Sequence, residues 1–259
     1  MLLGRPVLQQ QRVAVVVPAY CEERLLGQTL STMPAFVDAI YVVDDGSPDD
    51  TSHVAKRIQD SRLRVIRHET NRGVGAAIVT GYRAAFAEHA DVVAVMAGDA
   101  QMCPNDLPAV LEPVLAGRAD YVKGNRFRSP ERRRMPWPRR LAGKVLSVAT
   151  RLASGLSVDD CQCGFTGLGR RGAALLPLEE LWPGFGYPND LLLLAAQHGL
   201  RVTDVTVRPI YADERSGVRP WHALLILKLL VRRALRTPRP VASGWGRQAP
   251  RPCEPGSSV

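Results

Sequence analysis

Two acidic clusters, each closing an apolar run, constrain this chain more than any other feature. Ala39 to Val43 lead into Asp44-Asp45-Gly46-Ser47, and Val92 to Met96 lead into Gly98-Asp99-Ala100-Gln101. In an open α/β sheet the residues just past the strand ends line the crevice where ligands bind. Two acidic strand ends therefore point to one site for a nucleotide and a divalent cation.

The surrounding pattern supports such a sheet. Apolar, β-rich runs alternate with helical periodicity, as in a mainly parallel sheet covered by helices. Strands are expected at Val13 to Val17, Ala39 to Val43, Leu63 to Ile66, Val92 to Met96 and Tyr121 to Val122, with a later one within Arg201 to Ile210. Helices are expected at Glu22 to Met33, Thr51 to Gln59, Gly75 to Glu88 and Asn105 to Leu115, with Asp50 and Asn105 as N-caps. Gly73 and Gly75 open the third of these helices. Small residues there allow close approach of backbone or ligand, and tight packing is the stronger reading.

At 259 residues and 46% hydrophobic, the chain suits one soluble α/β domain with extensions. The formal net charge of +9 calls for an anionic partner: a phosphorylated substrate, an acidic lipid surface or nucleic acid. Five cysteines in no paired spacing fit a reducing cytosol, and Cys161 and Cys163, one residue apart, suit neither a zinc knuckle nor a redox pair. Residues 1–11 lack a secretory apolar core and read as a disordered lead.

The second half changes character. Arg126 to Arg140 is arginine-dense and broken by Pro130, Pro136 and Pro138, which reads as a mobile basic loop entering a helix. In that helix Leu141, Val145, Val148 and Leu152 share one face, with Arg140 and Lys144 a turn apart on another. A final helix begins near Trp221. Its apolar run is interrupted by Lys228 and is too short to cross a bilayer. Lys228, Arg232 and Arg236 form a cationic stripe among leucines, which suits either a helix lying on an anionic membrane or one packed on the domain. From Thr237 the composition is that of a disordered tail.

Six segments in order make the chain resemble family 2 glycosyltransferases of the GT-A fold, near the dolichol-phosphate mannose synthases and other polyprenyl-phosphate glycosyltransferases. They are Val15 to Glu23, Val42 to Thr51, Asn71 to Gly75, Gly98 to Pro104, Gly124 to Phe127 and Asp160 to Phe165. The resemblance implies a GT-A domain over 12–215, a membrane-surface helix over 216–236 and a tail over 237–259. It implies that Pro18, Tyr20, Glu22, Asp44, Asp45, Gly73 and Asp99 hold a nucleotide sugar, GDP-mannose or a UDP-hexose, with Asp45 ranked above Asp44. Asp99 and Gln101 would hold Mg²⁺ or Mn²⁺. Ala97 stands where the family carries the first acid of an Asp-x-Asp motif, leaving more of the coordination to diphosphate and water.

The reaction implied is an inverting transfer of a hexose, mannose or glucose, to a polyprenyl phosphate, with Arg126 near the transferred group. Arg140, Lys144, Arg215 and Arg219 are acceptor-phosphate candidates. Asp190 would be the base if the acceptor were a hydroxyl. Three activities stay open on sequence alone: lipid-phosphate glycosyl transfer at the cytosolic membrane face, soluble transfer to a hydroxyl, and nucleotide binding without turnover. The chain lacks the spanning helices of membrane-embedded relatives, so peripheral association or a separate membrane partner is expected. Sparse aromatics offer no base-stacking platform, so nucleic acid is not expected as a partner.

Overall fold

The computed structural model describes residues 11–210 and 220–236, with side chains of the last helix described for 224–233. Expectations for the lead before Gln11, for Arg215 and Arg219 and for the tail from Thr237 fall outside the described residues, as do the Trp221 and Arg236 side chains. One seven-stranded sheet runs in the order β3-β2-β1-β4-β6-β5-β7. Its strands are β1 (Val13–Ala19), β2 (Ala39–Asp44), β3 (Leu63–Arg67), β4 (Val92–Val95), β5 (Tyr121–Asn125), β6 (Thr166–Gly169) and β7 (Val202–Thr206). All neighbours pair in parallel except β6, which runs antiparallel to both β4 and β5. The mainly parallel α/β expectation holds.

The helices are α1 (Leu26–Ser31), α2 (Thr51–Arg57), α3 (Val74–Ala87), α4 (Leu107–Leu115), α5 (Trp137–Ser154), α6 (Arg170–Leu175), α7 (Tyr187–Gln197) and α8 (Pro220–Arg236). The alternation of β1 decides the layering: Val13, Val15 and Val17 join one core with Leu26, Leu107 and Leu111, while Ala14 and Val16 join the other with Ile78, Tyr82 and Leu192. A strand buried on both faces explains the unbroken apolar run at Val13 to Val17. A third small cluster, Leu146, Leu193, Ile226 and Leu230, joins α5, α7 and α8.

Two local expectations need correction. Asn105 does not cap α4. It lies inside a 3₁₀ turn, Pro104–Asp106, and Asp106 takes the N-cap position. The basic stretch after β5 is also structured: Ser129 is buried, its hydroxyl accepts from the Glu131 N–H, and Pro130–Arg134 form a 3₁₀ turn.

The largest surprise is α5. It buries Gly143, Leu146, Ser147, Thr150 and Ser154, and turns Trp137, Leu141, Val145, Val148 and Leu152 outward, each between 47% and 83% exposed. The apolar face read from the sequence is the solvent face. The inward hydroxyls are used: Ser147 accepts from Cys161 N–H (3.0 Å), and Thr150 Oγ1 accepts from the Asn189 amide (2.7 Å).

Candidate active site

The site is assembled around the end of β1. On one side Asp45 N–H donates to Ala19 O (2.9 Å), and on the other Gly98 N–H donates to Pro18 O (3.1 Å). The two acidic clusters therefore flank Pro18 and Ala19, so Asp45 and the turn bearing Asp99 and Gln101 share one crevice. Tyr20 is exposed at its mouth, followed by Cys21 in a left-handed conformation (φ 58°) with its side chain in solvent. Cys21 N–H donates to Ser47 Oγ (3.0 Å) and Glu22 N–H to Thr51 Oγ1 (2.8 Å), tying the β1 loop to the β2 loop.

The aspartate pair divides its work. Asp44 is fully buried, and its Oδ1 accepts from Ser47 N–H (2.9 Å), a turn-building role. Asp45 is nearly buried and holds three donors. Its Oδ1 meets His68 Nδ1 (2.7 Å) and Arg72 N–H (2.9 Å), and its Oδ2 meets Gly73 N–H (2.7 Å). A carboxylate offers about four lone-pair directions, so little acceptor capacity is left for a ligand. His68 was invisible to sequence reasoning. It sits one residue past β3 and also meets Thr80 Oγ1 (2.9 Å).

Gly73, at φ 96°, and Gly75 do pack tightly. Gly75 N–H donates to Pro183 O (2.7 Å), and a Cβ at either glycine would collide with the Trp182 or Pro183 carbonyl. Close backbone packing, rather than a phosphate loop by itself, accounts for these glycines.

Asp99 Oδ1 accepts from Gln101 N–H (3.1 Å) across Ala100, whose φ is 55°. Among the described residues no three His, Cys, Asp or Glu side chains gather as a metal cluster. One carboxylate beside one amide fits Mg²⁺ or Mn²⁺ only as an ion held chiefly by ligand oxygens and water, which Mg²⁺ accepts readily.

Arg126, at the end of β5, is gripped by Asp160: Nε to Oδ2 is 2.7 Å, Nη2 to Oδ1 is 2.9 Å, and the Arg126 N–H adds a third bond (3.1 Å). Burial alone would push the Asp160 carboxyl up. The charge and hydrogen bonds of Arg126 outweigh it and hold the pKa below the ordinary value. Beneath this pair lies Lys123, fully buried, its Nζ donating to Cys163 O (2.5 Å). Burial pushes its ammonium down to about 8. Its sequence signal was slight: Lys123 directly follows the apolar pair Tyr121-Val122 in a strand that continues with Gly124 and Asn125. Cys161 and Cys163, both buried free thiols, lie in this turn.

Asp190 is fully buried in the first turn of α7, where Oδ2 accepts from Trp182 N–H (2.8 Å) and the carboxylate grips Arg233 of α8 (Nε to Oδ1 2.8 Å, Nη2 to Oδ2 3.1 Å). Both of its oxygens are engaged, and the pair ties α8 to α7. Arg140 and Lys144 lie on the first half of α5, Lys144 exposed.

Among the described residues no helix is long and apolar enough to cross a membrane. The model of glycosyl transferase family 2 matches residues 14–174. The chain is 27% identical over 241 residues to the UDP-N-acetylglucosamine–dolichyl-phosphate N-acetylglucosaminyltransferase of Methanococcus voltae, covering 84% of this chain and 96% of that one. It is 30% identical over 203 residues to the undecaprenyl-phosphate mannosyltransferase of Micrococcus luteus, covering 76% and 82%. Glucosyl-3-phosphoglycerate synthase of Mycobacterium tuberculosis, solved with Mn²⁺, UDP and phosphoglyceric acid, shares the fold at a TM-score of 0.66 and 21% identity, covering 91% of this chain and 82% of that one.

Proposed function

Since the chain belongs to glycosyl transferase family 2, we propose that it moves a hexose-type sugar from a nucleotide sugar to the phosphate of a polyprenyl phosphate, at an anionic membrane surface and with Mg²⁺ or Mn²⁺. The named relatives that act on dolichyl and undecaprenyl phosphates support the acceptor class. One observation carries the choice between phosphate and hydroxyl: Asp190 is sealed into its pair with Arg233. A hydroxyl acceptor needs a base, whereas a phosphate monoester is anionic near neutral pH and attacks without one.

In the reaction, an oxygen of the acceptor phosphate forms a bond to the anomeric carbon as the bond to the nucleoside diphosphate breaks, and the electron pair departs with the diphosphate. Pro18, Tyr20 and Glu22 line the donor end, with Asp45 fixing the Arg72-Gly73 backbone beside them. Arg126, aimed by Asp160, brings fixed positive charge to where two anions must meet. Asp99 and Gln101 would hold a divalent cation, which when bound would supply further charge neutralisation to the leaving diphosphate. Arg140, Lys144, Arg215 and Arg219 complete the reading as acceptor-phosphate contacts. GDP-mannose and UDP-hexoses remain the donors to compare.

The membrane part of the reading rests on α5, whose outward Leu141, Val145, Val148 and Leu152 sit beside Arg140, Lys144 and Arg151. Apolar side chains flanked by cations suit the headgroup boundary of anionic lipid. Purified chain with Mn²⁺, each nucleotide sugar and either a short polyprenyl phosphate or a saccharide tests the proposal. Sugar appearing on the saccharide alone would defeat it. Co-sedimentation with phosphatidylglycerol but not phosphatidylcholine vesicles is the matching expectation for the surface.

A further inference from the structure

A cavity of about 180 Å³ opens between α8 and the loop leading to α7, walled by Trp182, Phe185, Gly186, Leu225, Ile226 and Leu229. Nothing in the reaction as described above uses it. Its lining is apolar throughout, and its size is informative: an apolar cavity of about 150 Å³ holds a benzene molecule. A five-carbon branched unit is of that order.

The location narrows the occupant. The loop that forms one wall has the first turn of α3 on its other side. Pro183 O accepts from Gly75 N–H (2.7 Å) and Ala76 N–H (3.3 Å), while on the cavity side a Cβ at Gly186 would touch Leu229 Cδ2 (3.1 Å) and Ile226 Cγ1 (3.5 Å). A single loop thus separates the cavity from Gly73, whose N–H is fixed by Asp45. The mouth is rimmed by the half-exposed Phe185 and Leu225. Lys228 and Arg232, both exposed, follow Leu225 and Leu229 at helical spacing on the same helix. An apolar hole whose helix carries exposed cations three residues beyond two of the lining leucines is complementary to a branched hydrocarbon that ends in phosphate.

We infer that this cavity between α8 and the Trp182–Gly186 loop is a subsite for an isoprene unit near the phosphate of the acceptor. The inference rests on the acceptor class proposed above, and it adds a place and a selectivity: chains carrying a methyl branch at every fourth main-chain carbon fill the hole, and straight chains do so less well. It also gives the Arg233–Asp190 pair a purpose, since that pair fixes α8 and with it the far wall.

The test uses farnesyl phosphate carrying a diazirine on its first isoprene unit, photolysed with the full chain and mapped by peptide mass spectrometry. Label is expected on the peptides holding 182–186 and 225–229. Leu225→Asp and Phe185→Asp, at partly exposed positions that tolerate charge without unfolding, should each lower that labelling about tenfold, the cost of withdrawing one or two methylenes from apolar contact. Their thermal shifts with nucleotide sugar should match wild type. Label landing elsewhere, variants that label like wild type, or hexadecyl phosphate competing as well as farnesyl phosphate would each overturn the subsite. Sugar transfer is measured in parallel. Label in the cavity without transfer supports the subsite and removes the acceptor reading alone, and transfer with label elsewhere removes the subsite alone.

Discussion

Helices α3 and α5 each carry a row of apolar side chains and face it opposite ways. Helix α3 turns Ala77, Ile78, Tyr82 and Ala85 onto the sheet, as hydrophobic burial demands. Helix α5 turns Ser147 and Thr150 inward and leaves five large apolar side chains outside. Burying each of those would be worth about 1.5–3 kcal/mol. The inward face of α5 is mixed: Leu146 packs with Leu193, Ile226 and Leu230, while Ser147 and Thr150 meet the Cys161 backbone amide and Asn189, which in turn bonds Gln162. A helix that packs on a sheet obeys the core, whereas one that supports a polar turn yields its apolar face to something else. Contiguous exposed apolar side chains are the kind of surface that interaction sites use.

The strongest way to break this contrast is at Asp190. Removing one partner of a buried ion pair costs about 3–5 kcal/mol, so Asp190→Ala should lower unfolding stability by that order in urea titration. Pairing Asp190→Leu with Arg233→Met should recover most of it. Asp190→Asn, assayed on its folded fraction, should leave the pH–rate profile of transfer unchanged. A profile that loses its acidic limb would restore Asp190 as a base.

Arg126 comes next. Withdrawing one preorganised charged donor from a reacting centre costs about 10²–10³ in rate. Arg126→Lys should reach that loss while nucleotide-sugar binding, read by calorimetry, stays within about twofold. Equal losses of binding and rate would reassign Arg126 to the donor.

The contrast between helices is sharpened most directly on α5. Val145→Asp and Leu152→Asp lie in solvent, so stability should stay within about 0.5 kcal/mol of wild type. Binding to phosphatidylglycerol vesicles should fall about tenfold, the consequence of losing one apolar side chain from the interface. Unfolding of either variant would show the stripe to be core.

The smallest effect concerns Lys123. Its folded pKa of about 8 lies below the ordinary value of 10.5, so below pH 8 the folded state carries the full cost of a buried charge. Between those values the unfolded chain binds more protons, and stability rises with pH. Wild-type stability should therefore climb relative to Lys123→Met from about pH 8 to about pH 10.5 and run parallel to it below pH 8. Parallel curves throughout would mean a solvated lysine.

Much of the donor half was legible because its strands are buried on both faces and its turns carry acids. Strands β1 to β4 and helices α2 and α3 lie within a few residues of the runs that announced them. Strand β6 was not legible: four residues, two of them glycine, carry no alternation. Its glycines answer to a neighbour instead, since a Cβ at Gly169 would press on Val114 of α4 (2.7 Å). Helix α7 was hidden by Pro188 and by burial all round, which erases periodicity. The inversion of α5 could not be read at all, because a 3.6-residue period gives the width of an apolar face and not its direction. Asp45, Asp99, Arg126 and Asp160 all lie in motif segments, while His68 lies in none, and the pairings His68 to Asp45 and Asp160 to Arg126 are made only by folding.

The left-handed kink at Cys21 has a practical corollary. Its sulfur sits in water one residue beyond Tyr20, whereas Cys161 and Cys163 are sealed inside. Partial burial, aided by Asp49, raises this thiol above its ordinary range, so it stays mostly protonated and slow to alkylate at neutral pH. At mildly alkaline pH a maleimide dye should label it ahead of the buried Cys161 and Cys163, and a nucleotide resting against Tyr20 should shield it. A dye on this thiol would thereby report whether the proposed donor site is filled.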